Sequence, residues 1–140
     1  MDDKAVEPRG LYIGTKIVEA FLQTNTGRDG YGVIYEDGYR SWSPAQAFKP
    51  YQQLPGPLSF GHALFLCKQG KKIARAGWNG KGMWILLQVP DENSKMTLPY
   101  LYIEYPAGHP AYPNGSRVPW LASQTDILSD DWYVVEWVKP

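Results

Sequence analysis

The chain has 140 residues with 14 Lys and Arg against 14 Asp and Glu, so no global field draws it to a polyanion or to an anionic membrane surface. That length suits one ordinary domain or two very small ones, and a single cysteine, Cys67, excludes an internal disulfide and a cysteine-built metal centre. Six Trp, ten Tyr and four Phe in a chain of mean hydropathy −0.40 place many rings at surfaces or interfaces.

In chain order, "MDDKAVEPRG" is charged and lacks the apolar run of a signal peptide, and no stretch approaches the ~20 apolar residues of a membrane span. A soluble cytoplasmic protein is expected. "LYIGTKIVEAFLQT", the turn "NTGRDG" and the alternating "YGVIYEDGYRSWSP" form a first, β-rich unit, with Asp37-Gly38 suited to a hairpin turn. Ser43-Pro44-Ala45-Gln46 carries a helix-start signature, Ser43 as cap and Gln46 reaching back, and predicts a short helix from Pro44 to about Lys49. "YQQLPGPLSF" reads as a linker, dividing a small β-rich module at 1–54 from a second domain at 55–140.

The second domain opens on a helix capped by Ser59, with Phe60, Ala63, Leu64 and Cys67 along one stripe and Gly70 to end it. "KKIARAGW", "NGKG" and "MWILLQVP" read as strand, turn and strand, with Asn79-Gly80 as the turn; "MTLPYLYIEYP" and "DWYVVEWV" are further strands, separated by the loop "AGHPAYPNGSRVP" and the segment "PWLASQTDILSD". The fold class is therefore α+β, a small antiparallel sheet packed with a short helix. In "MWILLQV" and "WYVVEWV" both faces are largely apolar, and one short helix covers only one of them. A second copy of the chain is the economical cover for the other, so an oligomer is expected.

Catalytic groups are scarce. His62 and Cys67 lie five positions apart on the helix and so diverge, and Cys67 shares the apolar stripe. His109 sits in a Pro/Gly-rich loop, Asp130-Asp131 fits a solvated turn, and "NGKG" is a hairpin turn rather than a phosphate loop. Neither a catalytic residue nor a metal site is assigned, and no cofactor is expected. Binding chemistry is better supplied. Trp78 and Asn79 lie among Gly77, Gly80 and Gly82, where a ligand can approach the backbone; the structural alternative is a plain turn with a packing tryptophan. Trp120 follows Pro119 and precedes Ser123-Gln124-Thr125-Asp126, which also fits the cap of a short helix with Trp120 as its anchor. Arg75 and the lysines around it suffice for a diphosphate but not for a polymer, since residues 56 onward carry eight basic against seven acidic side chains.

"RAGWNGKGMW" together with "VPWLASQTDILSDDW" resembles the second Thoeris anti-defence family of bacteriophage proteins, over about Leu58 to Glu136. The resemblance implies a sponge that sequesters a cyclic ADP-ribose-type signal without cleaving it, in the cytoplasm of the infected bacterial host, and so blocks Thoeris-type immunity. It further implies a homotetramer with ligand pockets between subunits; some members also hold cyclic oligonucleotides. Long nucleic acid and membrane are not expected as partners. Carried onto this chain, Trp78 and Trp120 would supply π-faces for adenine or ribose, Asn79, Ser123, Gln124, Thr125 and Asp126 would read ring edges and hydroxyls, and Arg75 would face the diphosphate. The first unit is similar to a short module found in other phage proteins. Two rival readings are a phage enzyme degrading a cyclic nucleotide, with His109 as base, and a carbohydrate- or virion-binding module.

Overall fold

A computed structural model describes residues 8–138. The chain divides into two compact units that meet at Phe48 and Lys49.

The first unit is a three-stranded antiparallel meander of β1 (Glu19–Leu22), β2 (Gly30–Ile34) and β3 (Arg40–Pro44), followed by the single-turn helix α1 (Ala45–Phe48). The Asp37-Gly38 turn forms as expected: Gly38 has φ +89°, its N–H donates to Tyr35 O at 2.8 Å, and the Asp37 carboxylate accepts from Tyr39 N at 3.0 Å. β2 has glycine at two of its five positions because neighbouring rings fill the space a side chain would need. Phe21 lies over Gly32 and Trp42 over Gly30, so a Cβ at either glycine would collide with them. Tyr31 stacks on Phe48 at 4.2 Å, which fixes α1 to the sheet. Ser43 does not cap this helix; Pro44 still belongs to β3, and the Ser43 hydroxyl donates to Pro44 O at 3.3 Å.

In the second unit, helix α2 (Phe60–Cys67) packs on a five-stranded antiparallel sheet made of β4 (Lys72–Arg75), β5 (Trp84–Gln88), β6 (Tyr100–Tyr105), β7 (Ser116–Pro119) and β8 (Trp132–Val135), in the order β7-β6-β5-β4-β8. The α+β class is as expected. Ser59 caps α2 through His62 N at 3.3 Å, and Gly70, at φ +94°, turns the chain into β4. The buried side of the helix is Ala63, Leu66 and Cys67, so Leu66 rather than Leu64 faces the sheet. Ile73, Ile85, Trp132 and Val134 come from three strands to meet that side and, with Leu58 and Ile103, make the core. Pro55-Gly56-Pro57, whose composition suits a linker, is built into this unit: Leu58 exchanges two backbone bonds with Trp132, and Pro55 O accepts from Val134 N at 3.0 Å. The outer edge of β8 is thereby closed.

Two expectations change here. β7 lies in the stretch read as a loop, paired through Ile103↔Val118 and Glu104↔Arg117. Asn79-Gly80 is not a two-residue turn, because β4 ends at Arg75 and β5 begins at Trp84, and the only ladder pair between them is Ile73↔Ile85. A wide, glycine-rich loop results.

Successive strand residues point to opposite sides of a sheet, and the alternation read from the sequence holds. Ile85 and Leu87 face α2, while Trp84, Leu86 and Gln88 face away from it with Tyr102, Glu104 and Tyr133. That second face carries a polar and aromatic chain: Lys72 Nζ sits 4.4 Å from the Trp84 ring centroid and 3.1 Å from Glu136, Trp84 Nε1 donates to Glu104 at 2.8 Å, and Arg117 Nε donates to the same carboxylate at 2.5 Å. No helix among the described residues is long and apolar enough to cross a membrane.

Candidate functional site

The segment after Trp120 folds as helix α3 (Gln124–Leu128), and its order of residues follows from its cap. Ser123 Oγ accepts from Asp126 N at 3.0 Å, and the Asp126 carboxylate accepts from Ser123 N at 3.0 Å, which is a reciprocal capping box. Five residues are too few to hold a helix without such help. Gln124 and Thr125, between the two capping residues, keep their side chains exposed.

Asp126 does more than cap. Its Oδ1 accepts from Arg75 Nη1 at 2.9 Å and from Trp78 Nε1 at 3.1 Å, across sequence separations of 51 and 48 residues. Its main-chain oxygen accepts from Trp132 Nε1 at 2.9 Å. Arg75 turns its other edge to Asp131, with Nε–Oδ1 at 2.9 Å, and Asp131 also accepts from Gly77 N at 2.7 Å. The Arg75 side chain is 10% exposed and that of Asp126 12%, while Asp131, at 34%, stands at the solvent side of the network. A Cβ at Gly77 would stand 2.5 Å from Asp131 Oδ2, and only glycine lets the loop close on that carboxylate.

Around this network the rings gather. Trp132, fully buried, is met by Phe60 at 5.2 Å, by Trp78 at 5.6 Å and by Trp120 at 6.0 Å between centroids, the two tryptophans edge-on. Trp78 and Trp120 are half-buried, and both pack against the core. The structure thus brings Arg75, Trp78, Trp120, Ser123 and Asp126 together; Asn79 lies in the exposed loop beside Trp78, and Gln124 and Thr125 on the open side of α3.

Arg75, expected to face a diphosphate, is bonded to both Asp126 and Asp131. Asp126, expected to read hydroxyls, accepts within its own chain at both carboxylate oxygens and so holds Trp78 and the start of α3. Asp131 and Trp132, at the centre of the site, escape a reading by motif: Asp131 has the look of a solvated turn, and its partner Arg75 is 56 residues away.

The electrostatics follow from these bonds. Burial raises the Asp126 carboxyl, but the N–H groups of Ser123, Arg75 and Trp78 outweigh it and hold the group below the ordinary carboxylate range. For Asp131 the Arg75 guanidinium is the largest cause, and the shift is again downward. Carboxyls lowered in the folded state stabilise it above their unfolded pKa of about 3.9 and lose that contribution as pH falls through the folded value. Urea stability of the second unit, followed by tryptophan fluorescence, is expected to be level near neutrality and to fall from about pH 4 downward. Replacing Asp126 and Asp131 together by Asn should flatten that acid limb; an unchanged limb would place the titrating groups elsewhere.

The thiol and the two imidazoles weighed for catalysis are engaged outside this network. Burial pushes the Cys67 thiol up to about 11, away from a reactive thiolate. His62 Nδ1 lies 2.7 Å from Gln52 Oε1, which also accepts from Ser59 N and so acts in the helix cap. His109 packs edge-on to Tyr105 at 4.9 Å in the 106–115 loop.

Residues 58–135 match the model of the Thoeris anti-defense 2-like domain. A Thoeris anti-defense 2 protein of Bacillus phage SP01 is 35% identical over 86 residues, an alignment that covers 56% of this chain and 94% of the relative. The matched span contains α2, the whole five-stranded sheet and α3, and therefore every residue of the network.

Proposed function

The chain belongs to the Thoeris anti-defense 2-like family, and from that premise we propose that it is a phage anti-defence protein which binds a cyclic ADP-ribose-type immune signal and sequesters it intact, without catalysis, so that Thoeris-type immunity is not triggered. The observation that carries this reading is the joining of two distant motifs. Arg75 and Trp78, from the "RAGWNGKG" stretch, are bonded directly to Asp126 of "PWLASQTD". Trp78 and Trp120 offer the open parts of two rigidly backed rings to adenine or ribose, and Asn79, Gln124 and Thr125 offer neutral hydrogen-bonding groups at their edges. Arg75, Ser123, Asp126 and Asp131 act beneath them as positioning residues.

The pocket is closed by a second copy. Leu121 is 92% exposed, Leu128 75% and Ile127 43%, so the polar pair on α3 is bordered by apolar side chains that lie open to solvent among the described residues. Burying them against another subunit shuts the ligand from water, and a tetramer supplies such interfaces. Both halves of the site are then rigid before the ligand arrives, which limits the ordering entropy lost on binding.

Calorimetric titration with a panel of cyclic ADP-ribose isomers and cyclic oligonucleotides tests this. One member should bind with nanomolar affinity, about 12 kcal/mol, and heating the complex should return that compound unchanged. Recovery of a cleaved product would make the protein a hydrolase, and retention on glycans with no response to any cyclic nucleotide would make it a carbohydrate-binding module.

A further inference from the structure

The first unit carries a long apolar edge. Leu11, Tyr12 and Ile13 are 103%, 94% and 100% exposed, and residues 8–18 run without helix or strand into β1. Every residue of β1 is exposed as well, with Phe21 at 45% and Leu22 at 79%. Lys16 Nζ lies 4.6 Å from the Tyr35 ring centroid, and Tyr35 follows Ile34, the partner of Glu19. The segment ahead of β1 thus lies within a lysine side chain's reach of the end of β2. An extended edge of this kind leaves a row of N–H and C=O groups free to pair with another strand.

We propose that residues 12–22 pair antiparallel with the same residues of a second copy, joining two sheets in the order β3-β2-β1-β1′-β2′-β3′. The argument for a second copy, rather than a foreign strand, is that the segment complements itself in one register. A twofold axis through the sheet requires opposed residues to share a face, so the centre of the pairing must be a residue opposite its own copy. Centred on Ile17, Ile13 meets Phe21 of the second copy, Tyr12 meets Leu22, Thr15 meets Glu19 and Lys16 meets Val18. Tyr12, Ile13, Ile17, Phe21 and Leu22 then face apolar side chains, Val18 meets the stem of Lys16, and no like charges oppose. Centred on Lys16, two lysines oppose; centred on Val18, Tyr12 meets Thr24 and Leu22 meets Gly14. This contact is independent of the ligand site and gives the first unit a role in assembly.

The test uses the full chain carrying Ile17→Cys. Native Cys67 is 0% exposed and stays silent. Opposed residues have Cα atoms about 4.5–5.5 Å apart, within disulfide range, so mild oxidation should give a reducible dimer. Thr15→Cys places the two thiols out of step by roughly 14 Å and should cross-link at least tenfold more slowly. Adding Ile13→Glu and Leu22→Glu to the Ile17→Cys chain should abolish its cross-link while leaving circular dichroism unchanged. Equal cross-linking at positions 15 and 17, or undiminished cross-linking in the triple variant, would overturn the proposal.

Discussion

Asp126→Ala is expected to destabilise the second unit by about 3 kcal/mol, the largest effect of any polar substitution in the chain. The variant removes the Asp126 half of the capping box and leaves α3 with the Ser123 hydroxyl as its only cap. It also leaves Trp78 Nε1 and the Ser123 N–H without the acceptor they share, and strips one of two carboxylates from an arginine side chain that is 10% exposed. Asp131 still holds the other edge of Arg75, which keeps the effect below the full cost of an orphaned buried charge. Asp126→Asn, with one acceptor left, should lie between. The check is urea denaturation followed by tryptophan emission, which reports this unit because five of the six tryptophans lie from residue 78 onward. A shifted midpoint with the same slope shows lost stability, and an unshifted one would show that the network is dispensable. Ligand binding should fall together with stability here, so loss of binding by this variant says nothing about contact with the ligand.

The second large effect is on binding. Trp120→Ala should weaken capture of the signal by roughly tenfold to a hundredfold, the loss of about 1–3 kcal/mol for one stacked base. Some stability goes with it, since Trp120 leans on Trp132 and on Phe60 at 6.4 Å. Gln124→Ala separates the two contributions. That side chain is exposed and makes no side-chain hydrogen bond among the described residues, so stability should stay within about 0.5 kcal/mol while affinity drops. Titration calorimetry on each variant, paired with its melting temperature, decides the matter. Folded Trp120→Ala protein that binds as tightly as the parent would move the pocket away from this ring.

How far the sequence speaks depends on the reach of the interaction. The Asp37-Gly38 hairpin, the Ser59 cap, the stop at Gly70 and the Ser123–Asp126 capping box are set by residues within four positions of each other, and each is readable locally. Alternation in "MWILLQV" and "WYVVEWV" divides each strand into two faces, and the structure shows which of them the helix covers, the one with Ile85 and Val134. The misreadings have distant causes. Gly77 and Gly82 frame a wide loop, not a tight turn, because Asp131 draws Gly77 N into a bond 54 residues away. β7 hides in a Pro/Gly-rich stretch because a short edge strand with one apolar residue, Val118, has almost no alternation to show. The bonds of Asp126 to Arg75 and Trp78 likewise span 51 and 48 residues and leave no local signal.

The capping box has a further consequence for the life of the polypeptide. Because α3 stands only when its carboxylate clasps a loop made nearly fifty residues earlier, translation that stops ahead of Asp126 yields a product whose sheet lacks β8 and whose tryptophan loop has nothing to hold it. Nonsense mutants in this stretch should be blind to the alarm molecule however well their surviving strands are made.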